Sequence, residues 1–284
     1  MMKTLVKELS CLLFPFVLKI KVFESYVHFL ISTWQRPERR RRWHDRRLYK
    51  YLLSTWMDSV FSREPDPDKR EKLKYLAMGG QGGIAWAKEY LNRKVDAAGS
   101  KKEFYNSLKE FCKSPEKSVV IQIGASSGRE LAYLKSFNQV HLYIGTEIDK
   151  QIISYLNNYY CEEGLNFLLC PAHWTGKLLR NYKGYNFIIF SSGTLQYVQP
   201  EHLEVFFRQL GDFSNVKLAL CEPLDEKFLN SLEAKSVWRG NFSYFHNYKA
   251  YAEKVGLRII KNTFFSESDR SKCGFILCIA ETKM

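Results

Sequence analysis

Residues 118–149 read SVVIQIGASSGRELAYLKSFNQVHLYIGTEID. The order is strand, glycine turn, helix, strand, acid. Ser118 to Ile123 is a short β-branched run of the kind found in buried strands. Gly124, Ala125, Ser126, Ser127 and Gly128 follow as a tight turn. Arg129 to Phe137 carries good helix formers, with Leu131 and Leu134 on one face. Val140 to Thr146 is a second apolar strand, ending on Glu147 with Asp149 two residues later.

That order has a chemical consequence. The first glycine either admits close approach of a ligand to the backbone or takes a dihedral closed to other residues. The second opens the helix with little bulk, and the free N–H groups there face whatever lies over the strand ends. Glu147, 23 positions after Gly124, stands where a carboxylate accepts both hydroxyls of a ribose. The unit is therefore expected to hold an adenosine-containing cofactor in the crevice outside the strand ends. The plain alternative is an ordinary strand-to-helix connection.

A dinucleotide site needs G-x-G-x-x-G, because glycine must admit a pyrophosphate. Here the spacing is G-x-x-x-G, with Ser126 in the place of the middle glycine. S-adenosylmethionine has no phosphate and asks less of the turn. Val120 to Gly128, followed by Tyr143 to Asp149, resembles the class I S-adenosylmethionine-dependent methyltransferases. Tyr185 to Val198 (YNFIIFSSGTLQYV) resembles their fourth-strand motif, and the resemblance runs from about Ser118 to Glu281. It implies an α/β, Rossmann-like, seven-stranded, mostly parallel sheet with S-adenosylmethionine as cofactor. Gln122, Gly124, Ala125, Ser126, Gly128, Glu147, Ile148, Trp174, Ser191 and Ser192 are the residues it implies around that cofactor. Gln122, Ala172 and Asn186 stand where the family usually has acids.

Composition divides the chain. The net charge is +13, but residues 1–117 hold 25 Lys and Arg against 14 Asp and Glu, while the remainder holds 18 against 16. The basic character belongs to the front of the chain, read as an all-helical extension (1–117) before a cofactor-binding domain (118–284). A basic front end suits an acidic partner, membrane headgroups, nucleic acid or a solvated helix face. Residues 5–34 are rich in Leu, Phe, Val and Ile, but the longest unbroken apolar run, Cys11 to Leu18, contains Pro15 and is too short to span a bilayer. Lys19-Ile-Lys21 stands where a signal peptide needs small residues. One or two amphipathic helices are expected there, packed on the protein, a partner or a membrane surface. From Arg36 to Lys50, 8 basic residues face 2 acidic ones, so residues 5–50 offer a peripheral membrane contact. Nucleic acid is the less favoured partner. The seven cysteines form no C-x-x-C pair. That fits reduced thiols in a cytoplasmic protein, at the inner membrane face if the basic segment docks there. No metal-ligand spacing is visible among Cys and His.

Arg63 to Asp68 reads as a turn-rich hinge, and Lys69 to Met78 as helical. Gly79 to Gly83 breaks that helix, either as a plain cap and restart or as a loop that closes over the site. Ile84 to Leu91 resumes, and Lys101 to Cys112 is an amphipathic helix with Phe104, Leu108 and Phe111 on one face. Past the second strand, Gln151 to Tyr159 returns as a helix and Asn166 to Cys170 is a third strand. At its end His173 and Trp174 are expected to cover the adenine, His173 alternatively being a satisfied loop residue. Phe187 to Phe190 is a fourth strand, with Ser191 to Thr194 where the transferred methyl points and Tyr197 on the substrate side. Val216 to Cys221 is a fifth strand ending on Glu222, which either orients an acceptor or pairs with a basic neighbour. Trp238 to Tyr248 is an aromatic loop offering Trp238, Tyr244 and Tyr248 to a sugar or planar ring. Asn247 caps a helix that ends at Gly256. Leu257 to Phe264 and Gly274 to Ala280 resemble the family's closing antiparallel pair.

The activity expected is methyl transfer to a hydroxyl of a glycan or small molecule, with His246 or His173 as base and Glu222 behind them. Two rivals are a non-catalytic module that binds an acidic partner through its basic helices, and an NAD-linked oxidoreductase. The three missing acids favour the first. The absent middle glycine counts against the second. Oligomeric state is not legible.

Overall fold

The computed structural model describes residues 65–70, 84–91, 93, 95, 99–113, 117–137, 140–240, 243–268 and 271–280. The expected amphipathic helices at 5–34, the basic cluster at 36–50 and the glycine cluster at 79–83 lie outside them. The chain divides into two compact units, residues 1–81 with 240–242, and 82–239 with 243–284. In the first, a helix is under way at 67–70, so it starts two residues early, in the stretch read as a hinge, and continues where a helix from Lys69 was expected. Pro67 takes a first-turn position that needs no N–H, and the Asp66 carboxylate accepts from the Asp68 N–H at 3.0 Å. No helix among the described residues is long and apolar enough to cross a membrane.

The second unit is an α/β sandwich. Its helices are α1 (Ile84–Leu91), α2 (Gly99–Cys112), α3 (Arg129–Lys135), α4 (Lys150–Tyr159), α5 (Thr175–Arg180), α6 (Pro200–Leu210) and α7 (Tyr248–Lys254). Strands β1 (Ser118–Ile123), β2 (Leu142–Glu147), β3 (Leu165–Leu169), β4 (Asn186–Ser192) and β5 (Val216–Pro223) run parallel. Strands β8 (Leu257–Ser268) and β9 (Ser271–Ala280) add an antiparallel pair, giving the order β3-β2-β1-β4-β5-β9-β8. The chain order reverses between β1 and β4, so the crevice lies outside the carboxyl ends of those two strands. Strands β6 (Ser236–Gly240) and β7 (Ser243–His246) pair as a separate ribbon. The segment read as an aromatic loop is thus mostly this ribbon. Its alternating residues suit period-two pleating, which the aromatic count had masked.

Both sheet faces are covered. One core gathers Val119, Ile121 and Ile189 with Leu203, Phe206, Phe207 and Leu210 of α6, which the helical period sets on one face. The other sets Val120, Ile188 and Phe190 against Phe104, Tyr105 and Leu108 of α2. Helix α2 therefore shares the sheet's core instead of standing before it. Asn247 caps α7 as expected, accepting from the Ala250 N–H at 3.3 Å, while its amide donates to the Ser231 and Glu233 carbonyls.

Gly128 opens α3 at φ +72°, and a Cβ there would stand 2.6 Å from a Tyr160 ring carbon and 2.8 Å from one of Phe167. The helix can lie this close to β3 and α4 only without a side chain at 128. Gly128→Ala is expected to cost about 2–4 kcal/mol, from ring displacement and left-handed backbone together. Urea unfolding measures it, and a midpoint equal to wild type would refute the packing role.

Candidate functional site

The strand-end loops converge on one rim. After β1, the residues at 124, 126 and 128 all take left-handed backbone, with φ of 72°, 51° and 72°. Ser126 is the non-glycine member, at a local cost of about 1–2 kcal/mol. Its reward is visible: the Ser126 N–H donates to Glu147 Oε2 at 3.1 Å. The other carboxylate oxygen accepts from the Ile148 N–H at 2.8 Å. Glu147 is thereby fixed at the end of β2, against the glycine turn, with further lone pairs on both oxygens. Burial pushes its carboxyl up, and the two N–H groups pull it back only in part.

Gly124 serves a different purpose from ligand approach. A Cβ on it would meet Thr194 side-chain atoms at 2.2–2.7 Å, so the chain's own Thr194 fills that side. Of the two expectations for this glycine, the special dihedral is the one observed. Asp149 turns away from the site and caps α4, accepting from the Gln151 N–H at 2.8 Å.

Beside Glu147 the rim is apolar and open. Ile148, Leu169 and Trp174 are each 44–46% exposed. Ile148 follows β2, Leu169 ends β3 opposite Glu147, and Trp174 closes the short helical turn after β3. Large apolar groups left in water together at strand ends offer a flat ring a place to bind. His173 stacks on His202, with ring centroids 3.9 Å apart, and touches Trp174 edge-on. The acid that the resemblance leads one to expect here is replaced by Ala172, which is buried.

At the other end of the rim lies a polar cluster of which the sequence reading named only Gln122. Gln122, 2% exposed, donates from Nε2 to Glu130 Oε2 at 2.9 Å. Glu130 also pairs with Lys101 Nζ at 3.4 Å. Tyr105 faces the same group, and its hydroxyl is pushed up well above the ordinary phenol by burial and then by the Glu130 charge. Gln122 Oε1 is buried with no hydrogen-bond partner. A buried carbonyl left unmet costs about 1–3 kcal/mol, so this cluster presents an acceptor and a carboxylate to a donor-rich cation. The acid missing from position 122 thus reappears in the first turn of α3. Its legible signal was an acid in the first turn after the glycine, which reads equally as a complement to the helix dipole.

Ser191, Ser192 and the loop behind them are organised by Glu222. This residue is fully buried at the end of β5. Oε1 accepts from Ser191 Oγ at 2.6 Å and from the Thr194 and Leu195 N–H groups at 3.0 Å. Oε2 accepts from the Gln196 N–H at 3.3 Å. Burial raises its pKa, and these donors work against that rise. Both roles expected for Glu222 are corrected by this geometry. It positions the loop from beneath, in place of facing an acceptor, and four loop donors surround it where a basic neighbour was expected.

Two further expectations shift. Tyr248, placed on the substrate side by its sequence context, is 2% exposed and part of the core. His246 is fully buried, with Nδ1 2.6 Å from Ser236 Oγ and its ring against Tyr244 and Tyr248. It joins the ribbon to the core and does not face the rim. Tyr244 donates to Gln199 Oε1 at 2.8 Å and meets Trp238 edge-on, so these two lie on the ribbon above the β4 loop. Tyr197 is half-buried in that loop.

No protein-family model matches the chain, and no curated protein sequence matches it. Solved structures do. The chain is similar to the 1,6-didemethyltoxoflavin-N1-methyltransferase of Burkholderia thailandensis, solved with S-adenosylhomocysteine: TM-score 0.51, 11% identity, 77% of this chain and 92% of that one. The methyltransferase in the Haloferax volcanii complex with the Trm112 activator gives TM-score 0.49 at 12% identity, over 71% and 96%. Magnesium protoporphyrin IX methyltransferase of Synechocystis gives 0.48 at 12%, over 73% and 100%. The Burkholderia likeness and the strand order together make the fold that of the class I S-adenosylmethionine-dependent methyltransferases.

Proposed function

We propose that this protein transfers a methyl group from S-adenosylmethionine to a small-molecule or glycan acceptor. The observation that carries the reading is Glu147, locked at the end of β2 against the glycine turn with acceptor capacity to spare. It takes the ribose hydroxyls. Ile148, Leu169 and Trp174 sandwich the adenine edge. At the opposite end, Gln122 Oε1 and Glu130 receive the α-ammonium group and Lys101 the α-carboxylate. That pairing uses a buried side-chain carbonyl that has no hydrogen-bond partner among the described residues.

The cofactor's sulfonium makes its methyl electrophilic when bound, so the chain's task is to hold an acceptor in line. Thr194 to Tyr197, pinned by Glu222, form the floor on which that acceptor rests. For a hydroxyl acceptor, His173, edge-on to Trp174, serves as base. A cytoplasmic site of action and a membrane contact through residues 5–50 belong to this reading as proposals.

Glu147 must be ionised to take a diol. Burial raises its pKa, so the protonated fraction is already appreciable above the ordinary carboxylate value of about 4.3. Affinity for S-adenosylhomocysteine is expected to be full at neutral pH and to fall as pH drops through that raised value. Calorimetric titration across pH 8 to 5 is the check, and an affinity unchanged over that span speaks against Glu147 as the ribose anchor.

A further inference from the structure

Arg239 lies on β6 and reaches down to the loop after β4. Its Nη1 donates to Gln196 Oε1 at 2.9 Å. Gln196 is itself 9% exposed and tied to the Gly193 carbonyl through Nε2 at 2.8 Å and to Glu222 through its N–H. The guanidinium therefore has a fixed address over the loop that borders the crevice. Phe245 covers one of its faces, with the ring centroid 5.0 Å from the guanidinium carbon. Four of its five N–H donors remain, in one plane. Among the described residues, no carboxylate pairs with it. Glu222, the acid closest along this network, is buried beneath the loop and engaged with loop donors.

The same loop touches the glycine turn, Thr194 Oγ1 lying 3.5 Å from the Gly124 carbonyl oxygen. A group held by Arg239 is thereby held beside the crevice.

We infer that the methyl acceptor carries an oxyanion, a carboxylate or a phosphate ester, gripped by Arg239. A planar fork, held by Gln196 and backed by Phe245, suits either oxyanion in two-point contact and gives a neutral amide nothing comparable. Charge at this point selects the acceptor's class, while the loop fixes the distance from anion to reacting atom. The inference rests on the methyl-transfer reading above.

The test uses the whole protein saturated with S-adenosylhomocysteine and titrated with benzoate, phenyl phosphate and neutral benzamide, followed by tryptophan fluorescence, since Trp238 adjoins Arg239. At least one anion is expected to bind saturably, and which one tells carboxylate from phosphate. Benzamide is expected to bind about tenfold more weakly or not at all. Arg239→Gln should weaken the anion about tenfold or more, with Arg239→Lys between, and an unchanged thermal midpoint shows that the variants fold. Equal binding of benzamide and both anions, or anion binding by Arg239→Gln at wild-type strength, overturns the inference. If S-adenosylhomocysteine binds and no anion does, the inference alone falls. If S-adenosylhomocysteine itself fails to bind, the methyl-transfer reading falls and takes this with it.

Discussion

Replacing Glu222 by Ala is expected to unfold the site and to destabilise the whole domain by about 3–5 kcal/mol. Three backbone N–H groups, those of Thr194, Leu195 and Gln196, lose their only acceptor shown here, together with Ser191 Oγ. Leu195 and Gln196 are buried, so their N–H groups have little access to water in exchange. The void left by the side chain adds to the loss. For a domain of this size the thermal midpoint should fall on the order of 10 °C. Glu222→Gln keeps one acceptor oxygen and should fall roughly half as far. A midpoint unchanged in Glu222→Ala would mean that the loop is held by something else, and the base role discarded above would have to be reopened.

The second large effect is on ligand affinity. Glu147→Ala removes the group proposed to take the ribose and also frees the Ser126 N–H. A hydrogen bond to a charged partner contributes about 1.5–3 kcal/mol, so two of them on one diol imply a loss of roughly a hundredfold or more in affinity for S-adenosylhomocysteine. The fold should survive, since the residue stands at the rim and the strand ladder around it is backbone. Calorimetry on the variant, beside circular dichroism, separates the two outcomes. Glu147→Gln should lose much of the affinity too, because an amide offers one acceptor oxygen where the carboxylate offers two.

The fold was legible because two periods are written plainly in the chain. Strands β1, β2, β4 and β5 are apolar runs bounded by turns, and α6 repeats Leu203, Phe206, Phe207 and Leu210 at helical spacing. The strand-end position of Glu147 followed from the same reading. What stayed hidden depends on contacts between distant segments. Lys101 and Glu130 are 29 positions apart, and Arg239 and Gln196 are 43 apart. Nothing local marks such pairs. The aromatic stretch from Trp238 misled for a related reason: His246 and Tyr248 carry groups suited to chemistry, yet both are buried, His246 at the end of β7 and Tyr248 at the start of α7. Residue type announced a role that burial then withdrew. Glu222 is the same lesson in reverse, a strand-end acid whose work is to hold backbone.

The most direct measurement is a calorimetric titration of the purified chain with S-adenosylmethionine at neutral pH. Expected is saturable heat with one site per chain, abolished in Glu147→Ala while that variant stays folded. No saturable heat, or the same heat in both proteins, would contradict the claim that this crevice holds the cofactor, and the sheet would then be a scaffold put to another use.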